Sequence, residues 1–488
     1  MKKRDSQIFS CDACGYRSPK WLGRCPSCTT WDSMSGHAEY PKPSHGRLKS
    51  IAASAQAEPY DQLTLESSRR IPSGITEFDR ALGGGFVPGM VVLLGGEPGV
   101  GKSTLALQCA SVLGSEDGPA LYVTAEESKA QLRLRGERLS LKPDGLLVLA
   151  ENNLLAIEEE IERLSPAFAI VDSIQAVASP ELPASAGSIV QVRECALRLL
   201  TLAKARGLPM LLVGHITKEG SLAGPKHLEH MVDTVLTFEG DSDHAHRMLR
   251  CTKNRFGPID EVGIFTMAQA GLECLVNPSQ WFLRDRQAGS PGSAVTVHRE
   301  GSRTFLVEVQ ALAGRPAHGS PQRTAVGIDS TRLSLIAAVL ERHIGLPLTS
   351  LDLFANAAGG VRLQDPGADL ALAAALASAV TQQSLDPDTV FLGEIGLAGE
   401  VRSVPRVGER VRETARCGFS CVVLPERDSE SAREAGLEVI AVRSVAQALE
   451  TLFDLRSLSD LPAAGQAPVI QPRATRRFNL KGGPITHA

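Results

Sequence analysis

Between residues 71 and 286 short apolar runs recur, each followed by a longer stretch with helical spacing. Met90-Val91-Val92-Leu93-Leu94 is the first such run, and Leu105–Leu113 is the helix after it. Ala120–Thr124, Gly145–Ala150, Ala169–Asp172, Met210–Gly214 and Thr234–Phe238 read as the later strands. Strands that are apolar throughout belong to a sheet covered on both faces, and their alternation with helices predicts parallel pairing. The fold class is therefore α/β. A second pattern begins after residue 292. Ala294–Glu300 and Arg303–Leu312 read as strands joined at Gly301-Ser302, with Val390–Gly393 and Cys421–Leu424 as further strands. Ser334–Glu341, Ala368–Thr381 and Val404–Arg416 read as helices. This predicts a second α/β domain over 292–455, with a Gly/Ser/Pro joint beginning at Gln287.

A chain of 488 residues exceeds one hydrophobic core, and 43% apolar with 22% charged residues is the composition of a soluble globular protein. The net charge of −4 is unevenly spread: residues 1–70 carry 11 Lys/Arg against 7 Asp/Glu, and residues 456–488 carry 5 against 1, so the body between them is at −12. Basic ends either touch a polyanion or are solvated tails. Residues 33–70 lack periodicity and predict a flexible linker. Residues 456–488 are Pro/Ala/Gly-rich and then basic (Arg473, Arg476, Arg477, Lys481), predicting a disordered tail. Met1-Lys2-Lys3-Arg4 is not followed by an apolar core, which argues against a signal peptide. The longest apolar run, Leu370–Val380, has 11 residues and is too short to cross a bilayer. A cytoplasmic location without a membrane partner is expected.

Four of the ten cysteines form two pairs, Cys11-x-x-Cys14 and Cys25-x-x-Cys28, ten residues apart. Two such turns aim four thiolates at one point and predict a structural Zn²⁺ site in a module over 1–32; a redox dithiol is the other reading. A segment this short needs the metal to fold. Trp21 and Trp31 read as packing residues of the module, with stacking on a nucleobase as the alternative.

Gly96-Glu97-Pro98-Gly99-Val100-Gly101-Lys102-Ser103, followed by Thr104, fits the phosphate-loop pattern and lies between a strand and a helix, as that pattern requires. Glycines let backbone N–H groups close around phosphates, and the helix N-terminus adds positive dipole. ATP is the expected nucleotide, with Lys102 on its terminal phosphates and Ser103 on Mg²⁺, although such a loop reads phosphates and not the base. Asp172, at the end of an apolar strand, is a second candidate for Mg²⁺. Glu126 or Glu127 orients the attacking water, or the pair is helix N-terminal charge. His215 ends a third strand where it could sense the γ-phosphate.

The phosphate loop, Asp172-Ser173, Gly214–Gly220, Leu228–Asp233 and above all Lys253-Asn254-Arg255-Phe256-Gly257 resemble the RadA (Sms) family of bacterial DNA-repair proteins. The resemblance covers nearly the whole chain. It implies a RecA-type ATPase domain over 71–286 that binds single-stranded DNA and drives branch migration in homologous recombination. It also implies a homo-oligomeric ring, a hexamer, and work beside a RecA-type recombinase. By the same resemblance Glu126 is the catalytic glutamate and His215 stands for the γ-phosphate-sensing glutamine. Lys253 and Arg255 reach the nucleotide of a neighbouring subunit, and the loop from Lys218 through Gly220 to Lys226 holds DNA.

The domain over 292–455 is similar to the proteolytic domain of Lon protease, at Asp365–Asp369, Gly399-Glu400-Val401 and Val422–Glu426. The serine of the Lon dyad falls at Gly367, where the RadA family usually has alanine, and the lysine falls at Gly408. Glycine supplies neither nucleophile nor base, so a scaffold is expected. The rival functions are an ATP-dependent protease and a nucleotide-switched protein whose zinc module docks a recombinase.

Overall fold

The structure, a computed structural model, describes residues 7–11, 16–18, 20–38, 70–114, 118–215, 227–240, 246–316 and 319–453. Cys14, Lys218, Gly220 and Lys226, most of the expected linker and the expected tail lie outside the described residues.

The N-terminal module is a three-stranded antiparallel sheet in the order β2-β1-β3: β1 Gln7–Cys11, β2 Arg17–Ser18 and β3 Met34–Ala38. β3 pairs with β1 over its whole length, from Gln7↔Ala38 to Cys11↔Met34. The module therefore extends past the boundary at 32 that the cysteine pairs suggest. The signal is weak because Met34-Ser35-Gly36-His37-Ala38 has one large apolar residue and takes its strand form from backbone pairing.

The second body is built on nine strands: β4 Val91–Gly96, β5 Ala120–Thr124, β6 Leu146–Ala150, β7 Phe168–Asp172, β8 Met210–Val213, β9 Thr234–Glu239, β10 His246–Asn254, β11 Val262–Ala268 and β12 Gly271–Cys274. Their order is β12-β11-β10-β9-β4-β8-β7-β5-β6. The six strands from β9 to β6 are parallel, as expected. β10, β11 and β12 extend one edge as antiparallel strands, an addition that the alternating pattern does not predict. β4 and β5 are buried at every position, which is why they read as unbroken apolar runs.

The helices of this body are α1 Thr76–Leu82, α2 Lys102–Leu113, α3 Lys129–Arg138, α4 Leu154–Leu164, α5 Ile189–Arg206 and α6 His227–Met231. One core joins α1 and α2 to Leu94, Tyr122 and Phe238; the other joins α4 and α5 to Val91, Leu93 and Val171. The sheet is thus covered on both faces.

The chain divides between Val276 and Asn277, ahead of the Gln287 joint. α7, Pro278–Leu283, belongs with the last unit: Phe282 stacks on Phe305 with centroids 5.1 Å apart, and Ser279 Oγ accepts from Leu306 N at 3.0 Å. This unit has a seven-stranded sheet, β15-β16-β14-β13-β17-β20-β21. Its strands are β13 Ser293–Glu300, β14 Arg303–Gly314, β15 Arg323–Val326, β16 Asp352–Ala357, β17 Thr389–Phe391, β20 Cys421–Pro425 and β21 Glu438–Val442; β18 Glu394–Ile395 and β19 Val401–Arg402 pair separately. Its other helices are α8 Ser330–Ile344, α9 Asp369–Thr381, α10 Val407–Arg416, α11 Ser429–Glu434 and α12 Val445–Leu452. The alanine-rich α9 is buried on all sides, which accounts for the longest apolar run. No helix among the described residues is long and apolar enough to cross a membrane.

Candidate nucleotide site and zinc ribbon

The C-terminal ends of β4, β8, β7 and β5, four consecutive neighbours in the sheet, stand level. Leu94 pairs with Val213, Val213 with Asp172, and Asp172 with Thr124. The residues just beyond that row are the phosphate loop, His215, Ser173 and Glu126. Ligands of open α/β sheets bind at this edge.

The phosphate loop leaves β4 and turns into α2 through Gly99 and Gly101, with φ of 81° and 114°. Gly101 is the N-cap and has no side chain to cap the helix, so the first N–H groups of α2 are left to face a ligand. Lys102 is 4% exposed, and its Nζ donates to Gly96 O and Glu97 O, both at 2.8 Å. Burial pulls its pKa below 10.5, opposed by Asp172, Glu126 and Glu97. A buried ammonium held only by carbonyls gains from an anionic partner.

Tyr122, from the neighbouring β5, donates its hydroxyl to Asp172 Oδ2 at 2.6 Å. Burial first, and then Asp172, raise the phenol well above its ordinary value of 10, so it stays a donor. The turn after β5 is held by Thr124, whose Oγ1 accepts from Glu127 N at 3.0 Å and donates to Glu127 O at 2.9 Å. That turn presents Glu126. Its carboxylate accepts from Ser173 Oγ and lies 3.5 Å from His215 Nε2. His215 Nδ1 is buried with no hydrogen-bond partner among the described residues. Glu127 is diverted into an ion pair with Arg135 on α3, which separates the two acids that the sequence leaves as alternatives. Tyr122 has no motif to announce it, whereas Ser173 belongs to the Asp172-Ser173 pair that carries the family resemblance.

Lys253 and Arg255 lie elsewhere. Asn254 pairs with Thr234, and Thr234 with Val92, at the start of β4. Lys253 Nζ donates to the carbonyls of Glu229 at 2.7 Å, His230 at 3.1 Å and Val232 at 2.8 Å, closing the end of α6. Arg255 Nη1 is 3.4 Å from Asp233, a carboxylate only 1% exposed that also receives Val91 N at 3.0 Å and Lys204 Nζ at 2.5 Å. From Val91 to Gly96 is about 17 Å of strand, so these two cations stand at the opposite end of the sheet from the phosphate loop of their own chain.

In the N-terminal module the thiols of Cys11, Cys25 and Cys28 lie within 4.8 Å of one another, with Cys11 and Cys28 Sγ 3.6 Å apart. That is too long for a disulfide and suits ligands of one tetrahedral ion. Trp21 and Trp31 do not pack its interior; they are 53% and 69% exposed, and the small core is Cys11, Cys25 and Met34 with Phe9, Leu22 and Cys28.

The serine position of the expected Lon dyad is crowded, whereas at Gly408 a Cβ would meet only Arg412 Nη2, at 3.9 Å. Gly367 N donates to Asp365 Oδ1 at 2.8 Å, and a Cβ at Gly367 would sit 3.3 Å from Arg410 Nη1. Arg410 is 2% exposed, pairs with Asp365 and donates to Val297 O at 2.7 Å. Gly408, on α10, has no base to offer.

The fold and site define a phosphate-loop α/β ATPase that also carries a zinc ribbon and a Lon-type domain without its dyad. Comparison with known families agrees domain by domain: residues 57–221 match the AAA domain, 9–35 the rubredoxin metal binding domain, and 354–454 the Lon protease (S16) C-terminal proteolytic domain. Over 455 residues the chain is 44% identical to the DNA repair protein RadA of Bacillus subtilis, covering 92% of this chain and 99% of that one. It is 45% identical over 453 residues to the RadA protein of Halalkalibacterium halodurans, with 92% and 99% covered, and 43% over 450 residues to that of Listeria monocytogenes, with 92% and 98% covered. The chain belongs to the RadA family of DNA repair proteins.

Proposed function

We propose that this ATPase is a motor that binds single-stranded DNA at recombination intermediates and extends their heteroduplex by branch migration, as a homo-oligomeric ring of six subunits acting beside a RecA-type recombinase. The observation that carries the oligomeric part is the division of the cations. Lys102 is beside the phosphate loop, whereas Lys253 and Arg255 are at the far end of the same sheet. A second copy is needed to bring them to a nucleotide, and a cation delivered in trans makes hydrolysis depend on assembly.

The loop of Gly96, Glu97, Pro98, Gly99, Val100, Gly101, Lys102, Ser103 and Thr104 holds the phosphates of ATP through the Lys102 ammonium and the backbone N–H groups of its residues other than Pro98. Ser103 and Asp172 hold Mg²⁺, with Tyr122 fixing the Asp172 carboxylate. Bound there, Mg²⁺ neutralises phosphate charge. Glu126, aligned by Ser173 and His215, orients the attacking water, and His215 carries the state of the γ-phosphate towards the segment of Lys218, Gly220 and Lys226, which holds DNA phosphates without sequence choice.

The test is steady-state ATP hydrolysis with and without single-stranded DNA over a salt series, combined with subunit mixing. DNA should stimulate hydrolysis, and the stimulation should fade as salt rises. Lys102→Ala subunits and Arg255→Ala subunits, each inactive alone, should recover part of the turnover when mixed. Hydrolysis indifferent to DNA at every salt would sink the motor and favour the recombinase-docking switch; inactive mixtures would sink the in-trans cation.

A further inference from the structure

The zinc ribbon exposes two indole rings that lie outside its small core. Large apolar groups on a monomer's surface are informative when they cluster, and these do. A Cβ placed on Gly23 would lie 3.5 Å from Trp21 Cη2 and 3.9 Å from Trp31 Cζ3, so both rings border one spot, which glycine leaves open. Both are held in place. Trp21 Nε1 donates to Met34 O at 3.2 Å. Trp31 bridges Arg24 across the hairpin that carries Cys25 and Cys28, a hairpin fixed by Cys25 N to Thr30 O at 2.9 Å and Asp32 N to Gly23 O at 2.9 Å. The Arg24 guanidinium lies 5.8 Å from the Trp31 ring centre, and its Nε donates to Thr29 O at 2.9 Å. The charge of the segment is one-sided: residues 16–38 carry Arg17, Lys20 and Arg24 against Asp32 alone.

We propose that Trp21, Trp31 and Arg24 form a stacking platform for unpaired bases of single-stranded nucleic acid. Pre-ordered aromatic faces within a basic segment match a polyanion whose bases present π-faces, and stacking of this kind is indifferent to sequence. The platform rests on the proposed single-strand binding and gives it a second contact, in a different domain from the loop that ends at Lys226.

The experiment uses the full chain with zinc bound. Fluorescence anisotropy measures its affinity for labelled oligo(dT) and for an abasic oligonucleotide of the same length. Trp21→Ala and Trp31→Ala should each weaken oligo(dT) binding about five-fold or more, Trp31→Phe should keep most of it, and the abasic strand should bind the parent protein correspondingly less well. Zinc content reports whether a substitution has unfolded the ribbon, and the abasic comparison needs no substitution at all. ATP hydrolysis without DNA should not change. Equal affinity for the two strands, or parental affinity in both alanine variants, overturns the platform and leaves the motor standing. A parent protein that binds neither strand overturns both. Variants that keep DNA binding but lose a protein partner assign the face to that protein and overturn the platform too.

Discussion

The phosphate-loop edge and the pocket of Asp365 and Arg410 are both places where an α/β unit gathers charged groups, but they differ in what those groups have left to give. Around Asp365 the bonds are complete: Arg410 uses Nε on Pro405 O, Nη1 on Val297 O and Nη2 on Asp365. A turn further on, Asp369 takes Arg332 and Ile395 N. At the phosphate loop, Lys102 is held by two carbonyls, His215 has an unused buried nitrogen, and the first turn of α2 is uncapped by any side chain. Polar groups that satisfy one another build structure, whereas polar groups left converging and under-used are poised for a ligand.

The largest effect should come from removing the most committed ligand group. Lys102→Ala should lower ATP turnover by at least about 100-fold, the scale for losing one charge stabiliser at the transferred group. It should not cost the unit its fold, because the side chain leaves behind only the carbonyls of Gly96 and Glu97. Turnover is checked with ATP and folding by circular dichroism. Normal turnover would remove the phosphate loop from the chemistry.

In the Lon-type unit the corresponding change should act on stability instead. Arg410→Ala leaves the half-buried Asp365 without its cation and removes the bonds of a buried guanidinium to Val297 O and Pro405 O, a loss of about 1.5–3 kcal/mol. Denaturant unfolding of the variant should show that loss. Gly367→Ser with Gly408→Lys restores the residue types of the dyad, yet casein should remain uncut, since Asp365, Arg410 and Val404 crowd a side chain at residue 367, with a Cβ there 3.0 Å from Asp365 Oδ1. Genuine digestion, or an Arg410→Ala protein as stable as its parent, would break the contrast between the two pockets.

Legibility in the sequence depends on where the signal resides. The phosphate loop, Asp172 and the parallel strands announce themselves because backbone chemistry demands glycines in one place and double burial demands unbroken apolar runs in another. β10 to β12 escape a reading by pattern because His246–Asn254 is polar at alternate and irregular positions and owes its strand form to pairing with β9. Trp21 and Trp31 read as interior residues, but both rings are exposed, and the ribbon's core among the described residues is Cys11, Cys25 and Met34. Arg410 is invisible in sequence for a related reason: a buried arginine is read from its partners, and Asp365 and Val297 are far away along the chain. The division between Glu126 and Glu127 needs Arg135, a helix away.

Tyr122 belongs to the same class of hidden residue and offers the finest test of the comparison. It is an apolar-looking member of a buried strand, and only the pairing of β5 with β7, Tyr122 beside Ile170, brings its hydroxyl to Asp172. If the phosphate-loop edge is a site built for a ligand, that hydrogen bond serves to aim a carboxylate and not to hold the sheet together. Tyr122→Phe keeps the ring and its burial and removes one hydrogen bond to a charged group, worth about 1.5–3 kcal/mol. Asp172 then has more freedom, so the Mg²⁺ concentration that half-supports binding of a fluorescent ATP analogue should rise about ten-fold, while denaturant unfolding in the absence of nucleotide shifts less. A purely structural tyrosine gives the reverse: a loss of stability with an unchanged Mg²⁺ requirement. That outcome would make the Tyr122–Asp172 contact an internal tie like the one between Arg410 and Asp365, and the difference between the two pockets would then rest on Lys102 and His215.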